Sequence, residues 1–161
     1  MTAAGSTFAA VKVEEWDDAY TREVASWHYE PPWDFYDLAS DPADAAAMRD
    51  PARAGHRRAV LGDSGRLEAF WYFDWYGDVV EIGIGLRPDL TGRGRGESFL
   101  RAQLEYASDH WQPATFRLFV AAWNERAIRL YERLGFREVA RETRHFELVG
   151  EHEFIQMERA A

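Results

Sequence analysis

Hydrophobic and polar positions change period several times along the chain, and each change marks an element. Residues 7–13 alternate small and β-branched side chains and predict a first strand. Over 14–27, Trp16, Ala19, Tyr20, Val24 and Trp27 recur at spacings near three and four, which makes one apolar helix face. Glu14, Glu15, Asp17 and Asp18 crowd the end of that stretch where the helix dipole favours negative charge. Asp41 followed by Pro42 puts a capping acceptor before a proline at the first helical position, so a short helix should run to about Met48. Residues 57–61 and 66–75 read as two strands joined by a hairpin turn at 62–65. In the second strand Leu67, Ala69, Trp71, Phe73 and Trp75 share one face, and Glu68, Phe70, Tyr72 and Asp74 the other. Apolar residues on both faces predict an internal strand of a sheet covered on both sides.

The next run, 79–86, alternates most clearly. Val80, Ile82, Ile84 and Leu86 form a core stripe, and Val79, Glu81, Gly83 and Gly85 the opposite face. Two glycines inside a strand mark a bulge or a close approach by a ligand. A helix follows over 97–110, with Phe99, Leu100, Ala102, Leu104 and Tyr106 inward, then a strand over 115–121. Asn124 can cap a helix whose Ala127, Leu130, Tyr131 and Leu134 recur at helical spacing, and Gly135 ends it. Runs 136–148 and 153–158 predict a closing hairpin that turns near Val149 and Gly150. Strands alternate with helices and no repeat or linker interrupts them, so a single α/β domain over residues 1–161 is expected.

Candidate chemistry sits where the 79–86 strand gives way to the following helix. Gly92, Arg93, Gly94, Arg95 and Gly96 combine backbone freedom with two guanidiniums at a helix start, a combination suited to phosphate. The dinucleotide fingerprint G-x-G-x-x-G fails here, because its third glycine position holds Glu97 or Phe99, and no Gly-Lys pair exists for a P-loop. A pyrophosphate cradle of another kind is one reading; a plain glycine turn with solvated arginines is the other. Glu81, on the glycine-bared face upstream, is a candidate general base, against a half-exposed glutamate paired with a nearby arginine. Residues 29–36 place Tyr29, Trp33, Phe35 and Tyr36 beside Glu30 and Asp34 around two prolines that forbid helix. This loop is either pinned to the core by its aromatics or the wall of a substrate pocket, with Glu30, Trp33, Asp34 and Tyr36 available to a cationic acceptor.

Composition narrows the chemistry. The 161 residues contain no cysteine, which excludes disulfides, thiolate metal sites and a cysteine nucleophile. The net charge of −9 argues against general nucleic-acid binding and is compatible with a cationic substrate. No basic-then-apolar leader and no membrane-length apolar run appears, so a cytoplasmic protein without a membrane partner is expected. His28, His56, His110, His145 and His152 show no paired ligand spacing, and no metal is expected.

Two motifs resemble the GNAT superfamily of acyl-CoA-dependent N-acetyltransferases. Residues 81–96, EIGIGLRPDLTGRGRG, look like that family's strand, pyrophosphate loop and helix start; residues 124–136, NERAIRLYERLGF, look like its later helix signature. The resemblance implies a mixed α/β (α+β) fold, a centrally splayed sheet of about seven strands flanked by about four helices. It implies acetyl-CoA as donor, wedged between residues 82–86 and 116–120. Backbone groups at Ile84 and Leu86 would pair with the pantetheine arm. Thr91, Gly92, Arg93, Gly94, Arg95 and Gly96 would hold the pyrophosphate, and Asn124 and Ala127 would lie along the arm. Thr91 stands where the family usually has Gln or Arg, which removes one polar contact. Tyr131 would sit near the thioester sulfur as a proton donor, its alternative being a core aromatic. The expected activity is acetyl transfer to a primary amine of a small molecule or a protein N-terminus, and the rival is a non-catalytic acyl-CoA sensor. The expected partners are that amine, cationic in character, and, as an open option, a second copy of the chain in a homodimer.

Overall fold

The computed structural model describes residues 11–161. Eleven elements follow in order: β1 (Lys12–Glu15), α1 (Asp18–Ala25), α2 (Pro42–Arg49), β2 (Arg57–Leu61), β3 (Leu67–Tyr76), β4 (Val79–Leu86), α3 (Arg95–Trp111), β5 (Thr115–Ala121), α4 (Glu125–Arg133), β6 (Arg137–Phe146) and β7 (Gly150–Ala160). The strands form one sheet in the order β1-β2-β3-β4-β5-β7-β6. Every neighbouring pair is antiparallel except β4 and β5, which are parallel. Among the described residues the chain forms the expected mixed sheet of seven strands, with four α-helices.

Two boundaries depart from the periodicity. The expected first strand lies partly outside the described residues, and its described part continues through Glu15, where Lys12 to Glu15 pair with Leu61 to Arg58 of β2. The helix therefore begins at Asp18 rather than at residue 14. Asp17 caps it in extended geometry, its carboxylate accepting from the Ala19 N–H at 2.6 Å. The 29–36 loop is less extended than its prolines suggest, because Trp33–Tyr36 and Leu38–Ser40 each wind into a 3-10 turn.

Each face of the sheet buries its own core. Trp71, Phe73, Val80, Ile82, Phe116 and Leu118 pack with Phe99, Leu100 and Leu104 of α3 and with Leu134 and Phe136. Across the sheet, Ala59 and Leu61 pack with Trp16, Val24, Trp27, Leu38 and Met48, and Phe70 closes against them. β3 lies between β2 and β4 and is covered on both faces, as its double apolar pattern requires. β6 is a sheet edge, exposed along most of its length and rich in charge, a composition that discourages pairing with another chain.

Phe73 is fully buried in the larger core, and Val139 on the edge strand is 53% exposed. Phe73→Ala should cost about 3–5 kcal/mol of unfolding free energy, whereas Val139→Ala should change it by less than about 0.5 kcal/mol. Urea titrations of the two variants read the difference directly.

Candidate active site

The functional centre starts from a missing set of hydrogen bonds. β4 and β5 pair only through Val79–Thr115, Val80–Phe116 and Glu81–Arg117, and then part. β4 stays in register with β3 out to Leu86–Ala69, and β5 with β7 out to Ala121–Phe154. Arg87 N–H bonds back to the Glu68 carbonyl, so alternation along an antiparallel ladder turns the backbone groups of Ile82, Ile84 and Leu86 toward the split. A groove of about 440 Å³ fills it, lined by residues that include Ile82 to Leu86, Leu118 to Val120, Ala127 and Tyr131. Unpaired strand groups in such a place suit a ligand that carries amides of its own.

The glycine turn closes one end of this groove. Gly92 and Gly94 have φ of +70° and +72°, and Gly94 is the N-cap residue of α3, with no side chain capping the helix. Its first-turn amides are thus free of a side-chain acceptor, an arrangement that favours an anion. Gly96 serves a different purpose: a Cβ there would lie 3.3 Å from Leu130 Cδ2, so this glycine lets α3 and α4 approach each other. Arg93 is exposed, whereas Arg95 donates to Glu68 at 3.0 Å and lies over the Phe99 ring. Thr91 turns its hydroxyl inward to the Pro88 carbonyl at 2.7 Å. Gly85 is also not bare: a Cβ there would meet the Phe70 ring at 2.1 Å, so the aromatic of the neighbouring strand fills the space a side chain would take.

The aromatic loop straps across the groove. Tyr29 donates its hydroxyl to the Leu86 carbonyl at 2.6 Å on the β4 side. On the other side Trp33 Nε1 donates to Asn124 Oδ1 at 3.5 Å, and Asn124 Nδ2 donates to the Tyr36 hydroxyl at 3.0 Å. Asn124 is buried and also caps α4 through the Ala127 N–H, so both ends of its amide are engaged within the chain. Trp33 and Tyr36 line the groove; Glu30 and Asp34 are exposed and stand outside its lining. Arg126 lies over the Trp33 ring at 4.2 Å and would be 3.6 Å from a Cβ on Gly92, which brings a third guanidinium to the glycine turn. A cation in the first turn of a helix opposes the dipole, and this was the available signal for Arg126.

Two ionisable groups carry the candidate chemistry. Glu81 sits at the last shared rung, its Oε1 3.3 Å from Arg117 Nε, so the arginine-paired alternative is realised. It is not itself among the groove's lining residues, but Gly83, next on the same strand face, is. Burial raises the Glu81 carboxyl above its ordinary range, with Arg117 pulling it back. Tyr131 lines the groove, and burial pushes its phenol well above the usual value, with Tyr36 nearby adding to the effect. Gln103 of α3, a buried polar residue inside an apolar helix face, donates to the Gly83 carbonyl at 2.8 Å and fixes the strand beside the split. Among the described residues no cluster of His, Cys, Asp or Glu could hold a metal ion, and no helix is long and apolar enough to cross a membrane.

A splayed mixed sheet with an uncapped glycine helix start at its cleft is an α/β arrangement whose free amides suit a phosphate-bearing ligand. Comparison with known proteins names the class more closely: residues 8–137 match the acetyltransferase (GNAT) domain model, and the chain belongs to that family. It is 31% identical over 127 residues to a mycothiol acetyltransferase of Corynebacterium aurimucosum, covering 71% of this chain and 40% of that protein. A second mycothiol acetyltransferase, from Clavibacter sepedonicus, is 31% identical over 136 residues, covering 84% of this chain and 43% of its own length. The chain thus spans about two fifths of these curated relatives. Among solved structures, spermidine N-acetyltransferase from Vibrio cholerae in complex with CoA and spermine superposes with a TM-score of 0.68 at 19% identity, over 94% of this chain and 95% of that one.

Because Asn124 is both helix cap and strap anchor, Asn124→Ala should cost about 1 kcal/mol or more. It should also speed amide hydrogen exchange at residues 33–40 while leaving α3 protected. Unchanged exchange in the strap would show that the loop is held by its aromatics alone.

Proposed function

We propose that the protein transfers an acetyl group from acetyl-CoA to a primary amine, with Glu81 as the proton acceptor and Tyr131 as the proton donor. The observation that carries this reading is the split between β4 and β5 ending at the uncapped, glycine-bearing start of α3. The fit to the donor rests on those features of this chain. Gly92 to Gly96, with Arg93 and Arg126, would hold its pyrophosphate, and the β4 edge at Ile84 and at the Leu86 N–H would hold its arm, the Leu86 carbonyl being taken by Tyr29. When bound, acetyl-CoA supplies the activated acyl group.

The residues divide the remaining work. An alkyl ammonium has a pKa of about 10 and cannot attack until it loses a proton. Glu81, directly or through one water, accepts that proton; burial raises its basicity, and the Arg117 pair holds it in place. The N–H groups on the split-facing side of β4 stabilise negative charge on the carbonyl oxygen. Tyr131, kept protonated by burial, returns a proton to the departing sulfur. Trp33 and Tyr36 wall the groove, and the Tyr29 contact with Leu86 closes the strap over it.

Tyr131→Phe should lower kcat on the order of a hundredfold while changing CoA affinity little; equal losses in both would make Tyr131 structural. Thiol release over a panel of amines measures the first and calorimetry the second. In the native protein the rate should climb with pH as Glu81 loses its proton. Glu81→Gln should remove that rise, lower the rate at neutral pH, and recover part of it above about pH 9, where more amine is already neutral. A variant with full activity and an unchanged pH profile would remove Glu81 from the mechanism.

A further inference from the structure

A second, smaller cavity of about 140 Å³ opens beside the groove, lined by Asp44, Ala47, Met48, Arg53, Arg57, Phe70 and Tyr72. Asp44, Met48 and Phe70 line the groove as well, so the two spaces adjoin. Two guanidiniums face this cavity. Arg57 is only 3% exposed, yet the one hydrogen bond of its guanidinium among the described residues is Nη1 to the Ala47 carbonyl at 3.4 Å. Its nearest carboxylate, Asp44, is 3.9 Å from Nη2, beyond hydrogen-bond distance, and is itself 53% exposed at the side chain. Arg53 donates Nη2 to the Tyr72 hydroxyl at 3.1 Å, and its buried Nε has no partner. Tyr72 is committed in turn, donating to Asp74 Oδ2 at 2.9 Å.

A guanidinium carries five N–H donors, and leaving them unpaired away from water is costly. Here Arg53 Nε is buried without a partner and Arg57 makes one long side-chain hydrogen bond, and both residues line one small space with a single carboxylate in its lining. A planar oxyanion with two acceptor oxygens answers both the charge and the fork geometry. The position in the sheet gives this anion a partner group. Tyr72 pairs across the sheet with Gly83, and Arg57 with Tyr72, so the cavity lies on the same sheet face as Gly83 and Glu81. Arg57 and Gly83 are two such cross-strand steps apart, about 10 Å between backbones, a gap that side chains on this face shorten to the length of one small molecule that also reaches toward Glu81.

We propose that Arg53 and Arg57 form a carboxylate-binding subsite, and that the acceptor is an amine carrying a carboxylate on the same molecule, as an amino acid does. The inference rests on the acetyl-transfer reading and narrows its acceptor: a cationic end meets Glu81, and an anionic end meets the arginines.

The test uses matched acceptors on CoA-saturated protein, so that the glycine turn is already filled. L-lysine is compared with 1,5-diaminopentane, and L-phenylalanine with 2-phenylethylamine, by calorimetry. In at least one pair the carboxylated member should bind about tenfold or more tightly, as a charged hydrogen-bonded contact provides. Arg57→Lys should reduce that preference. Because Arg57 is buried and its variants can fail to fold, Arg53→Gln is the second variant, and it should reduce the preference while CoA still binds. Equal or weaker binding of both carboxylated members, or a preference untouched by Arg53→Gln, overturns the subsite. Thiol release from acetyl-CoA is followed in parallel. A carboxylate preference in binding with no thiol released upholds the subsite and refutes acetyl transfer, whereas turnover of the plain amines at rates equal to the amino acids does the reverse.

Discussion

The structure depends on one place where two parallel strands stop pairing. Up to the Glu81–Arg117 rung β4 and β5 are bonded; beyond it each follows its outer neighbour, and the sheet opens. A gap among buried backbone groups is costly unless something fills it. The apex is therefore clamped. Arg117 pairs with Glu81 at 3.3 Å and lies over the Tyr76 ring at 4.6 Å, which fixes the last rung from two directions. Glu81 thus has a structural task at the point where the proposed mechanism asks it to accept a proton. The two demands are compatible, because a nearby guanidinium stabilises the carboxylate form while burial raises its basicity.

The wedge would be an open wound in the sheet without the loop that spans it. Tyr29 holds one lip through the Leu86 carbonyl, and Trp33 and Tyr36 hold the other through Asn124. The same Asn124 caps α4, so the start of that helix and the width of the groove are set by one side chain. Arg126, two residues further on, lies over the Trp33 ring and approaches Gly92. Strap, helix start and glycine turn are consequently one connected unit.

Most of the fold was legible because its elements carry strong local signals. Asp41 and Pro42 start α2, Gly135 at φ +90° ends α4, and the double apolar pattern of β3 identifies an internal strand. The misread boundary at residues 14–17 has a long-range cause. Pairing with β2, far along the chain, holds Glu14 and Glu15 in a strand although their charges suit a helix start. At the site, the glycines were legible as a group but not by role. Gly92 and Gly94 need their positive φ, Gly96 lets α3 meet α4, and Gly85 yields its space to Phe70. No local pattern distinguishes these three reasons. Arg57 reads in sequence as the first residue of a strand, and only the packing of α2 over β2 and β3 buries its guanidinium beside Tyr72.

The net charge of −9 shows the same limit in another form. An acidic chain suggests a cationic acceptor, yet among the charged residues lining the groove Asp44 and Glu97 are matched by Arg126 and Arg133. Glu97 is further engaged by Arg101 at 3.0 Å. Other carboxylates lie outside this lining, on the surface, where Glu138, Glu142 and Glu153 pair with Arg141 and Arg144 and where Glu30 and Asp34 face solvent. Exposed charges are screened by salt and act weakly on what binds in the groove. On the sheet face of Gly83 the proposed anion subsite adds Arg53 and Arg57 to the groups that would recognise the acceptor.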